Sequence, residues 1–564
     1  MLPLFAVFIS CSSQKSIDSA EEGWRPEQIC PGDVGCESRG DGVLLAGASA
    51  LPITPTCFED WEDLNGDRSY RGSQDAFLDC GCDQLCPEDD GYPGPDRGEA
   101  DGTFQAVWLA GFNNARAAKE VHDDLWTRTV VLKQGDVSLA IVSVDLVGYF
   151  NDDLEQVRQR VAEEGIDVDH ILLSSTHQHS GPDVLGQWGR QLGTTGRDST
   201  YLAYLEDQLV EGIRQASEQT VAVEMNIGSI DVTTYSEEKG SRNIIYDHRD
   251  PKIIDPMLNV ASFVDASGAV VATLLNFGNH PEVLNSDSLS ITSDFVDTTR
   301  RGVEEGIAYP DRSISGVGGT CIYISASIGG MMSPLNVEVT DGSGASFSTS
   351  SFEKSEALGN VMAELALQAL SEAQVVSAPD ISFYKHTFEV PVENILFQAA
   401  FISGMFARKM ENYEDGEIIT DDKVPLVRTE VNVVDIGTLR LQTVPGELLP
   451  ELAIGGYDPA DGQPLTSLED IIDESNPNPP QLSLAPQGPY LKERMASEHA
   501  WIIGLGNDML GYFIPSYNYK LDDRSPYLNE ALGDHYEETN SLGPSAYPII
   551  EQEIDLLLDW VREH

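Results

Sequence analysis

Two histidines separated by one residue are the most informative feature of the sequence. The apolar run at 171–175 predicts a buried strand, and His177 and His179 follow it directly. In an extended chain, residues i and i+2 point to the same side. Both imidazoles can therefore face one site at the carboxyl end of a strand, where α/β sheets place their ligands. The alternative, two histidines that cap a strand with ordinary hydrogen bonds, stays open for so short a motif.

Two other apolar segments end in residues that bind metals. The run at 272–276 is followed by His280, and the run at 434–443 is followed by Glu447. Two histidines and a glutamate form the ligand set of a catalytic zinc, which keeps one coordination position for water. The spacing therefore predicts a zinc site assembled from three distant strand ends.

The charge of the chain bears on its partners. The 564 residues include 34 Lys and Arg and 93 Asp and Glu, a formal net charge of −59. A field of this sign repels phosphate backbones, so nucleic acid is not an expected partner. It suits a protein that is exposed to salt or that holds divalent cations, because both screen self-repulsion.

The elements that must position these residues have α/β character. From about residue 104, β-branched runs alternate with segments of helical period at 152–164, 204–219 and 549–563, and residues 261–265 and 272–276 predict a hairpin. We expect a large mixed-sheet catalytic domain over 104–564. Residues 394–410 are apolar on nearly every face, which predicts a helix in a core or against lipid.

The N-terminus indicates export. Residues 1–10 are apolar and precede Cys11, after which the chain becomes polar. This pattern is typical of a bacterial lipoprotein signal, with Cys11 lipidated as the new N-terminus. The expected location is the outer membrane or cell surface, with the lipid as membrane anchor. An ordinary secretion signal with an incidental cysteine is the alternative.

Residues 12–103 predict a cysteine-rich acidic extension. Six of the eight cysteines lie between 30 and 86, which in an exported chain favours three disulfides whose pairing the sequence leaves open. The rival, a zinc ribbon, needs paired C-x2-C spacing that is missing.

The same extension contains a candidate calcium loop. Asp63, Asn65 and Asp67 alternate as oxygen ligands do in calcium loops, although Gln74 stands where an EF-hand requires glutamate. A solvated acidic loop is the alternative.

An ordered series of motifs resembles one family. Residues 176–182 (THQHSGP) resemble the T-H-T-H-S-G-P signature of the neutral/alkaline non-lysosomal ceramidases. Weaker matches follow the family's order at 121–128, 279–281, 332–334, 445–447, 511–512 and 534–537. Two departures, Leu335 within the family's S-P-N motif and Ile244 within its R-N-R segment, touch substrate handling more than metal ligation.

The resemblance implies hydrolysis of the amide that links a fatty acid to a sphingoid base. It implies zinc ligands His177, His280, Glu447 and Tyr512, with Ser333 as the residue assigned as nucleophile, His179 and Tyr536 beside the scissile bond, and His122 and Arg242 as substrate contacts. Covalent attack by Ser333 and mere positioning of water both stay open, and Ser333 in a turn or the tyrosines in a core are the structural alternatives.

The sequence thus predicts a lipid-anchored zinc amidohydrolase with a signal at 1–11, the extension at 12–103 and the catalytic domain at 104–564. Its expected substrate is ceramide or a related N-acyl lipid. The rivals are a hydrolase of other amides or esters and a non-catalytic, calcium-dependent surface-binding protein.

Overall fold

The computed structural model describes residues 24–31, 42–236, 238–330, 332–377, 379–414, 416–420, 423–457 and 471–564. The predicted signal at 1–11, with Cys11, lies outside these residues, as does Cys36.

The strands and helices have the following bounds. The strands are β1 Gln28–Ile29, β2 Leu45–Pro52, β3 Trp61–Glu62, β4 Ala76–Phe77, β5 Glu120–Val121, β6 Trp126–Gln134, β7 Val137–Val144, β8 His170–Ser175, β9 Val221–Asp231, β10 Met257–Asp265, β11 Val270–Phe277, β12 Ser290–Ile291, β13 Gly306–Ala308, β14 Ser313–Ser315, β15 Thr320–Ser325, β16 Val339–Thr340, β17 Ser346–Phe347, β18 Gln374–Val375, β19 Ile381–Pro391, β20 Leu426–Ile436, β21 Leu439–Thr443, β22 Glu447–Leu448, β23 His499–Ile503 and β24 Tyr512–Phe513. The α-helices are α1 Asn151–Glu163, α2 Ser199–Glu218, α3 Phe295–Glu304, α4 Phe352–Ser371, α5 Ile395–Ile402, α6 Pro450–Ile454, α7 Leu491–Arg494, α8 Tyr536–Thr539 and α9 Ala546–Glu563.

A mixed nine-stranded sheet dominates the fold, in agreement with the predicted α/β class. Its strands run in the order β15-β11-β10-β9-β2-β6-β7-β8, and β18 pairs with β9. The pairs β11–β15 and β7–β8 are parallel, and the other pairs are antiparallel. Strand β15 also contacts β6, β7 and β8, so the sheet curls until its edges approach each other.

A second, five-stranded sheet (β1-β19-β20-β21-β23) closes the core. One apolar cluster contains side chains from both sheets, among them Phe263, Phe383 and Trp501. Side chains alternate along each strand. Phe263 of β10 therefore faces this cluster while Val260 faces a different one, formed with α3 and α4. Because such strands are buried on both faces, they appear in the sequence as continuous apolar runs.

The predicted helices form where their period and caps agree. Helix α1 matches the prediction at 152–164, and α9 covers 549–563. Helix α2 begins earlier than expected because Asp198 caps it by accepting a hydrogen bond from the Thr200 amide. Of the apolar segment 394–410, only α5 is helical. Among the described residues, no helix combines the length and apolarity that a bilayer crossing requires.

The N-terminal extension is partly integrated into the large sheet. Strand β2 lies within the predicted extension, yet it pairs along its whole length with β6 and at two residues with β9. Residues 45–52 are thus structurally part of the large sheet, and the boundary at residue 103 stays a prediction. Disulfides join Cys57 to Cys82 and Cys80 to Cys86, and Cys30 is also disulfide-bonded.

Candidate metal centre

Three residues that are distant in sequence converge at one buried point. His177 follows β8, His280 follows β11, and Glu447 begins β22. The Nε2 atoms of His177 and His280 lie 3.4 Å and 3.3 Å from the same carboxylate oxygen, Oε2 of Glu447. All three side chains are buried, at 4% exposure or less. The structure therefore brings together the two histidines and the glutamate that the strand ends predicted.

Backbone carbonyls fix the orientation of both rings. Nδ1 of His177 lies 2.6 Å from the Val147 oxygen, and Nδ1 of His280 lies 2.8 Å from the Met332 oxygen. A carbonyl only accepts, so Nδ1 carries the proton and Nε2 presents a lone pair toward Glu447. Metal-bound histidines are held in this way by their other ring nitrogen.

Two polar atoms at this point make no hydrogen bond of normal geometry. Nε2 of His280 and Oε2 of Glu447 are buried and lie 3.3 Å apart, yet neither satisfies the other. Buried polar atoms are nearly always satisfied, so such a pair needs an explanation. A divalent cation between them would supply it, and the donor set of imidazole and carboxylate suits zinc.

Protonation states favour ligation. Burial lowers the pKa of His177 to about 3, which leaves its imidazole neutral. Burial alone would raise the pKa of Glu447, but His177, His280 and the Tyr512 hydroxyl outweigh it and lower that pKa. Burial would lower the pKa of His280, but the carboxylates of Glu447 and Glu282 outweigh it and raise that pKa, so the surroundings favour a positive charge at this point. The neutral His177 imidazole and the ionised Glu447 carboxylate are the forms that bind a metal ion.

Tyr512 reaches the centre through strand pairing. Strands β22 and β24 are parallel neighbours, with Glu447 opposite Tyr512. The Tyr512 hydroxyl donates to the Glu447 carboxylate. Burial, together with this negative charge, raises the pKa of Tyr512 well above its usual value. The structure thus places Tyr512 beside the predicted ligands.

His179 also lies at the centre. His177, His179 and His280 each place one ring nitrogen within 4.8 Å of the other two. The ring of His179 packs so closely on Gly111 that a Cβ there would come within 2.5 Å of it, and Gly111 has φ +105°, so a glycine is required. His177 itself adopts a left-handed φ of 67°, and strained residues of this kind cluster at functional sites.

Ser333 is connected to His179 through a buried carboxylate. Oε2 of Glu282 lies 3.1 Å from Nδ1 of His179. Burial would raise the pKa of Glu282, but His179, the adjacent His280 and Ser333 outweigh it and lower that pKa. The backbone of Ser333 pairs with that of Tyr246. Only its position two residues after His280 could have drawn attention to Glu282 in the sequence.

One cavity opens at this centre, and a second lies next to it. The first adjoins His177, His179, Glu447 and Tyr512 and is otherwise mostly apolar, with Val147, Phe150, Leu185, Trp188, Phe397, Phe401, Phe406, Met509, Leu510 and Leu542 among its lining residues. The second contains Ser333. Tyr536 lines both cavities, and its ring centroid lies 6.2 Å from that of Tyr512.

Two predicted substrate contacts lie elsewhere. His122 lines neither cavity, because it follows the rim strand β5 and its ring stacks on Phe352 with centroids 3.6 Å apart. Arg242 also lines neither cavity; it is exposed, with its guanidinium 5.7 Å from the Tyr246 ring. The arginine that does line the second cavity is the buried Arg249. Only its position a few residues after the R-N motif could have drawn attention to it.

The candidate calcium loop is well ordered by its own hydrogen bonds. Asp63 accepts from the amides of Gly66 and Arg68, and Asn65 donates to Asp67. Calcium binding there stays a prediction.

Fold and site together define a mixed α/β protein with a buried histidine–carboxylate centre of the kind that binds a divalent metal ion. No family model matches the chain. The neutral ceramidase of Pseudomonas aeruginosa is 23% identical over 218 residues, which are 35% of this chain and 31% of that protein. The matched segment therefore spans about a third of the curated relative.

Solved structures match over most of the chain. The crystal structure of the P. aeruginosa neutral ceramidase has a TM-score of 0.59 at 15% identity and covers 93% of this chain and 75% of its own. A ceramidase complexed with C2 has a TM-score of 0.56 at 15% identity, with coverages of 92% and 75%. The chain is thus a divergent relative of the neutral ceramidases and shares their fold.

Proposed function

We propose that this protein is a zinc-dependent amidohydrolase that cleaves the amide of ceramide or a similar N-acyl lipid. The observation that carries the proposal is the convergence of His177 and His280 on one oxygen of Glu447, with both rings held through Nδ1. The relationship to neutral ceramidases supports an amide-linked lipid as substrate.

We assign the metal to His177, His280, Glu447 and Tyr512. Zinc bound there would supply Lewis acidity for the amide carbonyl and the attacking water. His179 is positioned to hold a proton and deliver it to the departing nitrogen.

Further residues act around this centre. Glu282 orients the His179 ring through Nδ1 and links it to Ser333. The Tyr536 hydroxyl, at the junction of the two cavities, is placed to donate to the substrate.

The first cavity suits the acyl chain. Phe397 and Phe401 of α5 line it together with Phe406, so part of the apolar segment 394–410 faces the site. The cavity is small, about 60 Å³, so admission of a long acyl chain requires lining side chains to move apart.

Metal analysis combined with an activity screen tests the proposal. We expect one zinc per chain and chelator-sensitive hydrolysis of ceramide, with slower turnover of N-acyl amino acids and simple esters. His177→Ala should remove the zinc, whereas the control His122→Ala should retain it. Calcium without zinc, and no hydrolysis, would instead indicate a surface-binding protein. Preferential ester cleavage would indicate a different hydrolase.

We also propose that the protein is an exported lipoprotein anchored through Cys11, and that the loop carrying Asp63, Asn65 and Asp67 binds calcium. The proposals rest on the signal-like N-terminus and on the oxygen-ligand spacing. Mass spectrometry of the mature N-terminus tests the first. A calcium-dependent rise in the melting temperature that disappears in Asp63→Ala, with zinc content unchanged, tests the second.

A further inference from the structure

The second cavity differs in character from the apolar one. It has a volume of about 330 Å³ and is lined by Ser333, Tyr536, Glu530, Asp534 and Glu537 among others. It shares Tyr536 with the first cavity. Tyr536 therefore connects the two cavities, and Ser333 of the second cavity is linked to His179 through Glu282.

The charge of this cavity is negative. Of its lining residues, Glu530, Asp534 and Glu537 are acidic, and Arg249 is basic. The positive charge of Arg249 is neutralised by two carboxylates, because its guanidinium lies 2.6 Å from Glu537 and 2.8 Å from the neighbouring Glu538. Glu530 and Asp534 are exposed, and their negative charges line the cavity.

Two buried acceptor or donor atoms on the cavity wall lack protein partners. Oε1 of Glu537 makes no hydrogen bond although its side chain is 1% exposed, and Nε2 of His248 makes none either. Burial lowers the pKa of His248, so its ring adds no positive charge. Unsatisfied groups in a cavity wall indicate a polar ligand that would complete them.

We propose that this cavity holds the amine part of the substrate and selects amines that carry hydroxyl or ammonium groups over those that carry a carboxylate. The inference rests on the proposed function and names the substrate class at the same site. Apolar walls receive the acyl chain, and acidic walls receive the polar amine.

The chemistry of the reaction agrees with this placement. Hydrolysis breaks the C–N bond, the acyl carbon takes the oxygen of water, and the departing nitrogen takes up protons, so the products near neutral pH are a carboxylate and an ammonium ion. The ammonium forms where the exposed charges of Glu530 and Asp534 stabilise it. A carboxylate on the amine part would face the same charges and be repelled.

Two matched substrates test the selection. N-dodecanoyl ethanolamine and N-dodecanoyl glycine share the acyl chain and differ in the charge of the amine part. We expect the zinc-loaded protein to favour the ethanolamide in kcat/KM. In the double variant Glu530→Gln/Asp534→Asn this preference should fall about three- to tenfold at low ionic strength.

A matched control removes the same charge elsewhere. Asp136 and Glu218 are exposed and line neither cavity, and Asp136 lies in the turn before β7, at the end of that strand away from the site. Asp136→Asn/Glu218→Gln should keep the wild-type preference. An unchanged preference in Glu530→Gln/Asp534→Asn, or an equal fall in the control, would overturn the proposal.

Calorimetry with octylamine separates this proposal from the proposed function. We expect the protein to bind octylamine about three- to tenfold more weakly in Glu530→Gln/Asp534→Asn than in the wild type or the control. If neither these amides nor ceramide is hydrolysed, the proposed function is wrong, and octylamine binding alone then tests the assignment of the cavity. Equal affinity in all three proteins overturns the assignment of the cavity.

Discussion

Replacing Arg249 by methionine should strongly destabilise the segment that carries Tyr536. The Arg249 guanidinium donates to the carboxylates of Glu537 and Glu538 and to the Asn518 carbonyl at 2.6 to 2.8 Å. The exposed fractions of its side chain and of both carboxylate side chains are 2% or less. Arg249→Met keeps much of the apolar volume but leaves two buried carboxylates without their cation.

The size of this destabilisation follows from removing one partner of a buried ion pair. Such a change typically costs about 3–5 kcal/mol, because an uncompensated charge remains in the interior. At about 1.4 kcal/mol per factor of ten, the folding equilibrium should weaken by roughly two to three and a half orders of magnitude. Because Tyr536 directly precedes Glu537, amide hydrolysis should fall as well.

The pH dependence distinguishes lost charge pairing from lost packing. Burial would raise the pKa of Glu538, but Arg249 and His535 outweigh it and lower that pKa to about 2, so this carboxyl contributes stability above its unfolded pKa that is lost toward pH 2. Burial raises the pKa of the neighbouring Glu537 even beside Arg249. In Arg249→Met the unpaired carboxylates should have pKa values above about 4.3, so the variant loses stability as pH rises. The difference in unfolding free energy between the wild type and Arg249→Met should therefore grow from pH 4 to pH 8.

Urea unfolding followed by near-ultraviolet circular dichroism measures this deficit. Arg312→Met is the control, because Arg312 pairs with Glu364 at the surface with 43% exposure, and the loss of a solvent-screened pair should cost far less. If Arg249→Met does not fold, Arg249→Lys should show a smaller loss, because lysine keeps the charge but not the planar fork. A deficit for Arg249→Met no larger than that of the control, or one independent of pH, would refute the reasoning.

Three further changes have defined outcomes. His280→Ala should lose zinc and amide hydrolysis while the melting temperature in chelator stays near that of the apo wild type; unchanged zinc content by mass spectrometry would mean that the ligands are misassigned. Cys57→Ser/Cys82→Ser removes a disulfide with a sequence separation of 25 residues. Chain entropy predicts that this disulfide stabilises the fold by about 3–4 kcal/mol. Limited proteolysis of the extension should therefore accelerate, while zinc content stays constant. Burial raises the pKa of Glu451 to about 7, so the native state binds its proton more tightly than the unfolded chain and loses stability as pH rises from about 4.5 to 7. Glu451→Gln should remove this pH dependence of the unfolding free energy, and in chemical denaturation at pH 8 it should be more stable than the wild type by about 3 kcal/mol. The same pH dependence in both proteins would show that the Glu451 carboxyl is not protonated in the fold.

Much of the fold was accessible from local pattern. Helices α1 and α9 and the β10–β11 hairpin follow from period and turn composition, because these signals are contained within short windows. The length of α5 was overestimated, since residues 394–410 are uniformly apolar and give no period that marks where the helix ends. Residues 45–52, which form β2, fall within the predicted extension, because the partner strands β6 and β9 that tie β2 into the large sheet lie far away in sequence.

Residue types, their order and the ends of strands were enough to nominate His177, His280 and Glu447, because metal ligation restricts which side chains can serve and apolar runs show where strands end. Tertiary structure decided what no local pattern contains: that β22 and β24 pair so that Tyr512 lies beside Glu447, that Glu282 connects His179 with Ser333, and that Arg249 rather than Arg242 lies at the cavity wall. Each of these contacts joins residues through folding of the whole chain. Which charged side chain is buried and which is exposed depends on that packing, not on the neighbouring sequence.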